Sequence, residues 1–435
     1  MSGIYIHIPF CRQACSYCDF YFVTREQLIP AFVDALVFEI SSVGRNPDIP
    51  ESILGKPLQT LYFGGGTPSR LDASQFDRIV ETLHHRFDLS QLREFTVEVN
   101  PEDVNAGWLS HLKMLGVTRL SMGVQSFQPE LLHFMHRAHN APQAHRALEL
   151  VAAAGFETFS VDLIYGSPGQ SVHQLEEDLD VLLGYKPPHI SAYSLTLEPK
   201  TRLGKQLELG RLIPADDDDV AIQARLIRRT LRSRGIEPYE VSNYAVPGHE
   251  AVHNTAYWRH VDYLGLGPAA HSFFRDPDGK TATRRHNPPD LHAYSQKWAR
   301  SQSAAAQSPA SGESNTWHEP ERHSPDSNQT NIPPAQPGGQ PADRDPTGRK
   351  PDSTVENLSP ETLAEERVMM GLRMAEGISV DVLKSNYGYE LTDNQLEIIK
   401  QFRNEGLIAP GNPLRLTENG TMLADYITVK VLQVR

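Results

Sequence analysis

The sequence predicts an α/β protein: an open six-stranded parallel (β/α)6 barrel followed by a small C-terminal winged-helix-like α+β domain. Three observations carry that expectation. The first half alternates short apolar runs with longer amphipathic ones. The short runs end repeatedly in glycines or polar residues. Beyond residue 358 the pattern changes to three helical stretches and a hairpin.

The elements follow in order. Residues 4–9 form an apolar strand, and 31–43 has helical periodicity. Residues 60–63 are a short buried strand that ends at Gly64-Gly65-Gly66, and 73–87 is helical. A strand at 95–99 precedes a helix at 106–115 closed by Gly116. The strand at 119–124 is followed by a helix at 142–154 closed by Gly155. A strand at 158–165, a helix at 172–183 and a strand at 190–197 complete the series. Repeated βα units imply a parallel sheet with right-handed crossovers. Six of them predict an open barrel rather than the closed TIM type.

Four aspartates, 216–219, open a helix that runs to about residue 234, where their charge meets the positive end of the dipole. A metal site from these carboxylates is the competing reading. Residues 239–244 read as one more strand. The chain thus divides into a core at 1–235, a connecting region at 236–300, a low-complexity insertion at 301–357 and a C-terminal domain at 358–435. Residues 301–354 are rich in Ser, Pro, Gln, Asn, Asp and Gly, and such a composition cannot bury enough surface to offset its ordering entropy. It is expected to be disordered. The final domain carries helices at 361–375, 378–387 and 394–405 and a hairpin at 407–416.

Bulk properties narrow the function. A net charge of -13 repels phosphate backbones, so no nucleic-acid partner is expected. No apolar run is long enough to span a bilayer, and the N-terminus lacks the features of a signal peptide. A reducing cytoplasmic location fits these features and the use of cysteine.

All three cysteines fall in one window, Cys11, Cys15 and Cys18, with the spacing C-x3-C-x2-C. A disulfide framework needs paired cysteines spread along a chain, and here the number is odd and the spacing local. Three clustered thiolates suit a [4Fe-4S] cluster with one iron left open. S-adenosylmethionine (SAM) can chelate such an iron through its amino and carboxylate groups, as in radical SAM enzymes. There an electron from the cluster breaks a carbon–sulfur bond and releases a 5'-deoxyadenosyl radical. A Cys3His zinc site using His7 is the alternative.

In parallel barrels ligands sit at the C-terminal ends of the strands. The unusual residues fall there repeatedly: the cysteine loop, Gly64-Gly65-Gly66-Thr67-Pro68, Glu98-Val99-Asn100-Pro101, Gln125-Ser126, and Asp162 before Gly166-Ser167-Pro168-Gly169. The glycines let bare backbone approach a ligand, with carbonyls for an ammonium and amides for a carboxylate. Glu98, Gln125, Arg137 and Asp162 offer carboxylate, amide and guanidinium groups to other polar atoms.

These stretches, together with Tyr5-Ile6-His7-Ile8-Pro9-Phe10-Cys11, the segment 121–127, Arg137-Ala138-His139 and the segment 162–166, resemble the family of oxygen-independent coproporphyrinogen III oxidases and their HemW-type heme chaperone relatives. The resemblance covers about residues 3–300 and resumes at about 358. It implies that Tyr5, Gly65, Gly66, Thr67, Glu98, Gln125, Arg137 and Asp162 contact SAM and that Tyr17 lies beside the cluster. Two departures separate the branches. The oxidase motif has a further cysteine where this chain has Phe20, and the oxidases carry a long segment before the cluster motif. In both respects the sequence resembles the HemW branch, and membership of that branch is the expectation.

The stretch His253-Asn254-Thr255-Ala256-Tyr257-Trp258 resembles the heme-binding signature H-N-x-x-Y-W of that branch. An exposed His253 beside two aromatics would be a heme ligand with stacking walls, and His271 is a second candidate. The implied function is a heme chaperone that holds a [4Fe-4S] cluster, SAM and heme and passes heme to an acceptor protein, soluble or membrane-associated. The alternative is a true radical SAM enzyme, either a porphyrinogen oxidase or a methyltransferase-like relative.

Overall fold

Alternation along the strands decides how the sheet is used. In β1 (Ser2–Ile8), Ile4, Ile6 and Ile8 point one way and Gly3, Tyr5 and His7 the other. The same division recurs in β2 (Thr60–Gly65), β3 (Glu94–Val99), β4 (Arg119–Gln125), β5 (Thr158–Tyr165) and β6 (His189–Ser194). One face carries Leu61, Phe63, Phe95, Val97, Leu120, Met122, Val161 and Ile190, all buried. The opposite face carries Tyr62, Thr96, Glu98, Ser121, Ser160, Asp162 and Ser191. The register aligns its members: Tyr5 with Tyr62, Glu98 with Ser121, and Asp162 with Ser191.

The structure is a computed structural model that describes residues 2–45, 49, 53–307 and 355–434, with backbone alone for 302–307. The apolar face is covered by α1 (Ile29–Ser42), α2 (Ala73–Arg86), α3 (Ala106–Met114), α5 (Ala141–Ala154), α6 (Val172–Gly184) and α8 (Asp217–Arg232). The short α4 (Pro129–Phe134) and α7 (Arg202–Glu208) lie between these helices in the chain. Each large side chain buried in this layer contributes roughly 1.5–3 kcal/mol. Asp72 with Gln75, Asn140 with Gln143 and Ser171 with Gln174 form capping boxes that start α2, α5 and α6. Asp216 caps α8 by accepting from the Asp218 amide, so the aspartate run opens a helix as predicted.

The six expected parallel strands are neighbours in chain order, but among the described residues the sheet has twelve strands. The expectation of six is corrected at both edges. On the β6 side, the predicted strand at 239–244 is two short antiparallel pieces, β7 (Glu237–Pro238) and β8 (Asn243–Ala245). The connecting region supplies α9 (Val252–Trp258), β9 (Asp262–Leu266), β10 (His271–Arg275), β11 (Ala282–His286) and α10 (Leu291–Gln307). Strand β9 adds to β1 in parallel, Gly3 beside Tyr263, and β10, β11 and β12 (Val355–Leu358) continue antiparallel. Ala282–His286 (ATRRH) lacks an apolar alternation, and it is held between the nearby β10 and the distant β12.

Most of the insertion expected at 301–357 lies outside the described residues. Its described ends are ordered, as α10 to Gln307 and β12 from Val355. The C-terminal domain has α11 (Pro360–Arg373), α12 (Val380–Tyr387), α13 (Asp393–Asn404), α14 (Glu418–Thr421) and α15 (Ala424–Gln433). The predicted hairpin is reduced to single bridges, Ile378 to Leu414 and Ile408 to Leu416. The core of this domain includes Phe273, Ala282 and Leu358, so it packs continuously onto the sheet extension. No helix among the described residues is long and apolar enough to cross a membrane.

Candidate functional site

The loop after β1 is pinned at its base. Phe10 is buried against Phe32, the Cys11 amide donates to the Val23 carbonyl at 3.0 Å, and the Val23 amide donates to the Pro9 carbonyl at 2.6 Å. Ser16, buried between Cys15 and Tyr17, donates through its amide to the Met135 carbonyl and through its hydroxyl to Phe134, at 3.0 and 2.9 Å. The three cysteines are therefore presented on a fixed loop, and all three are free thiols, half-buried.

A hydrogen-bonded arc joins two of them. Thr67 reaches the Cys11 Sγ at 3.7 Å, Asn100 donates to Thr67 Oγ1 at 2.9 Å, and Arg137 donates to Asn100 Oδ1 at 2.7 Å. Arg137 also lies 3.2 Å from the Cys15 Sγ and 3.4 Å from the Tyr17 hydroxyl. Burial alone would lower the Arg137 pKa, but Tyr17, Cys15 and Glu102 outweigh it and raise it. Burial pushes the Cys11 thiol up to about 12 and Cys18 to about 11.

These groups line a cavity of about 500 Å3 at the C-terminal ends of the strands. Its wall brings together Cys11, Cys15, Cys18, Tyr17, Gly65, Gly66, Thr67, Glu98, Gln125, Arg137 and Asp162. The volume lies within the range of pre-formed small-molecule sites. Glu98 accepts from the Tyr62 hydroxyl at 2.7 Å and from the Gly65 amide at 3.0 Å. Burial, then Asp162, pushes its pKa up to about 7, against the hydrogen bond from Tyr62. Burial also raises Asp162 to about 6. Two carboxylates deep in the protein, open only to this cavity, call for a cationic or donor-rich ligand. Gln125 sits at φ 70 on a bulge of β4, and its Oε1 is buried without a partner.

Several expectations change. The glycines of 64–66 are required by the protein itself. At Gly65, φ is 104 and an added Cβ would lie 2.4 Å from the His7 ring; at Gly66 it would lie 2.8 Å from the Ile8 carbonyl oxygen. The Gly65 amide is taken by Glu98 and the Gly66 amide by Ile8, so neither is free for a ligand carboxylate. Tyr5 is not in the cavity wall. It lies behind it, its hydroxyl 3.0 Å from His7 Nδ1 and its ring 5.9 Å from that of Tyr62. The second His7 nitrogen lies 2.9 Å from the Tyr21 carbonyl, so this imidazole is occupied and the Cys3His alternative is set aside. Asn100, Ser16 and Tyr193, which also shape the site, were not among the predicted residues. Asn100 stood inside the E-x-N-P stretch, but its two-sided bridging emerges only in the fold.

His253 is corrected in one respect: it is buried, with 2% exposure, rather than exposed. Its Nδ1 lies 2.8 Å from Thr60 Oγ1 and its Nε2 2.7 Å from the Tyr257 hydroxyl, and its ring stacks on Tyr62 at 5.1 Å. Burial lowers its pKa to about 3, so it is neutral. Glu94 accepts from the Val252 and His253 amides and fixes the start of α9. His271 is exposed and stacks on His286 across β10 and β11, outside the cavity. A wider cleft of about 1490 Å3 beside β10 and α12 holds none of the predicted residues.

Two family models match the chain. The Radical SAM superfamily model matches residues 5–182, and the HemN C-terminal domain model matches residues 358–423. The chain is 37% identical over 278 residues to the heme chaperone HemW of Bacillus subtilis (strain 168), covering 63% of this chain and 71% of that protein. It is 36% identical over 291 residues to the heme chaperone HemW of Escherichia coli (strain K12), covering 65% of this chain and 74% of that one. Among solved structures it is similar to the Escherichia coli coproporphyrinogen III oxidase HemN, a radical SAM enzyme. The TM-score is 0.72 at 18% identity, over 99% of this chain and 89% of that chain, a likeness of fold.

Proposed function

The chain belongs to the HemW family of radical SAM proteins, and on that premise we propose that it is a heme chaperone that binds heme and hands it to an acceptor protein. The observation that carries the reading is the likeness to proteins named heme chaperone HemW, over more than two thirds of their length. Phe20 supports it. This side chain is 68% exposed at the cavity wall, in the place where the oxidase motif has a further cysteine.

The residues fit the groups that the family implies. Cys11, Cys15 and Cys18 would hold a [4Fe-4S] cluster with one iron free of protein ligands. Glu98, Gln125, Arg137 and Asp162 would take the polar groups of SAM, with Tyr17 beside the cluster. When bound, the pair supplies one-electron chemistry at a carbon–sulfur bond. The chain's own part is positional: Thr67, Asn100 and Arg137 orient the loop, and the paired carboxylates favour a cation at the cavity floor. In this reading β1–β6 act as the radical SAM barrel, and the protein works in the cytoplasm.

His253 is the proposed heme residue. Both its nitrogens are engaged, so ligation there requires the imidazole to leave Thr60 or Tyr257. The test is an optical titration of the cluster-loaded protein with hemin. One hemin per chain with a shifted Soret band supports the reading; a featureless titration that matches free hemin overturns it.

A further inference from the structure

We infer that Tyr62 is a positioning residue that couples the ligand site at Glu98 to His253 at the start of α9. The inference rests on the heme-binding reading above. Tyr62 makes two contacts in opposite directions. Its hydroxyl donates to Glu98 Oε1 at 2.7 Å, and its ring lies on the His253 ring at 5.1 Å with 26° between planes. One side chain thus separates the cavity carboxylate from the imidazole.

The linkage has little slack. An added Cβ at Gly64 would meet the Tyr62 ring at 2.7 Å and Glu98 Oε1 at 2.8 Å, so the carboxylate and the ring are packed against one strand position. Thr60, which binds His253 Nδ1, lies two residues from Tyr62 on the same face of β2. At the other end Glu94 holds the first amides of α9 at 2.8 and 3.0 Å. His253 is therefore held by a tyrosine whose own anchor is the group that faces the cavity.

This gives two discrete arrangements. With the cavity free of ligand, Tyr62 is tethered to Glu98 and keeps His253 stacked. A ligand that donates to Glu98 replaces the tyrosine hydroxyl, the ring is released, and His253 can turn away from Thr60. Coupling carried by such an element is reciprocal: SAM strengthens heme binding by the factor by which heme strengthens SAM binding.

The experiment uses anaerobic, cluster-loaded protein with the cluster left oxidised, so that SAM stays intact. Hemin affinity is measured with and without saturating SAM, in the parent and in Tyr62→Phe, which keeps the ring and removes the tether. SAM should tighten hemin about 5-fold or more in the parent, the lower end of typical coupling. Tyr62→Phe should bind hemin as tightly without SAM as the parent does with it, and should not respond to SAM. An equal SAM effect in both proteins overturns the inference, as does no effect in the parent. Hydrogen exchange of amides 252–258 supplies a readout without heme. SAM should speed it in the parent, and Tyr62→Phe should be fast from the outset. A parent that binds no hemin refutes the heme reading, and the exchange result then decides the coupling by itself.

Discussion

Glu98→Gln should weaken SAM binding and stabilise the ligand-free protein at once. The native pKa of Glu98 is about 7 against an ordinary value of 4.5, with burial as the main cause. Between those values the unfolded chain has lost the proton while the native state keeps it, so stability falls as pH rises from 4.5 towards 7. At about 1.4 kcal/mol per pH unit, the ionisable side chain costs about 3 kcal/mol by pH 8 and about 1 kcal/mol at pH 5.5. Glutamine has no such term. Its oxygen can accept from the Gly65 amide and its amide can donate to Tyr62, so neither partner is stranded. Urea unfolding of the ligand-free parent and variant should show the variant ahead by these amounts. SAM affinity should move the other way. The ratio of parent to variant affinity should rise about ten-fold from pH 6 to 8 as Glu98 ionises. The titration of SAM itself cancels in that ratio. A variant no more stable than the parent at pH 8, or a ratio that does not change with pH, would refute the electrostatic account of the cavity.

Three further outcomes are expected. Replacing Cys11, Cys15 and Cys18 together by alanine should abolish the iron–sulfur absorbance, whereas the reconstituted parent should hold about four irons per chain; stoichiometric zinc in its place would contradict the assignment. Gly65→Ala should cost about 2–5 kcal/mol, from a disfavoured φ and from the collision with His7, seen as a lowered Tm. Unchanged thermal stability would show that the His7 contact is relaxed in solution. His253→Ala should lower heme occupancy and also cost about 2–5 kcal/mol, because it removes the Tyr62 stack and leaves the Thr60 and Tyr257 hydroxyls unpaired in the interior. Urea unfolding checks this, and a loss below about 1 kcal/mol would mean that the imidazole is not held as described.

The parts of the fold legible in the sequence are those with a local signature. The strands from Ser2 to Ser194 alternate or run apolar, their helices open on Asp72, Asn140 and Ser171, and the cysteine spacing carries its own chemistry. Strands β9 to β12 are less legible: β11 reads Ala-Thr-Arg-Arg-His without apolar alternation, and the two pairings that tie the extension together join distant segments, Gly3 beside Tyr263 and Arg285 beside Val355. The glycines of 64–66 were visible but only half understood: the strand register, not the ligand, places His7 and Ile8 against them. The stretch 253–258 suggests an exposed His253, and the fold buries it. The aromatic that covers it is Tyr62 from β2, which no reading of the stretch 253–258 could supply.

A heme carrier is distinguished from a porphyrinogen oxidase in one anaerobic preparation. An aliquot of protein loaded with cluster and SAM is first titrated with hemin; the remainder is then given a strong reductant and coproporphyrinogen III, and the products are separated by chromatography. One hemin should bind per chain, and no protoporphyrinogen IX should form. Formation of protoporphyrinogen IX over many turnovers, with no hemin bound, would contradict it.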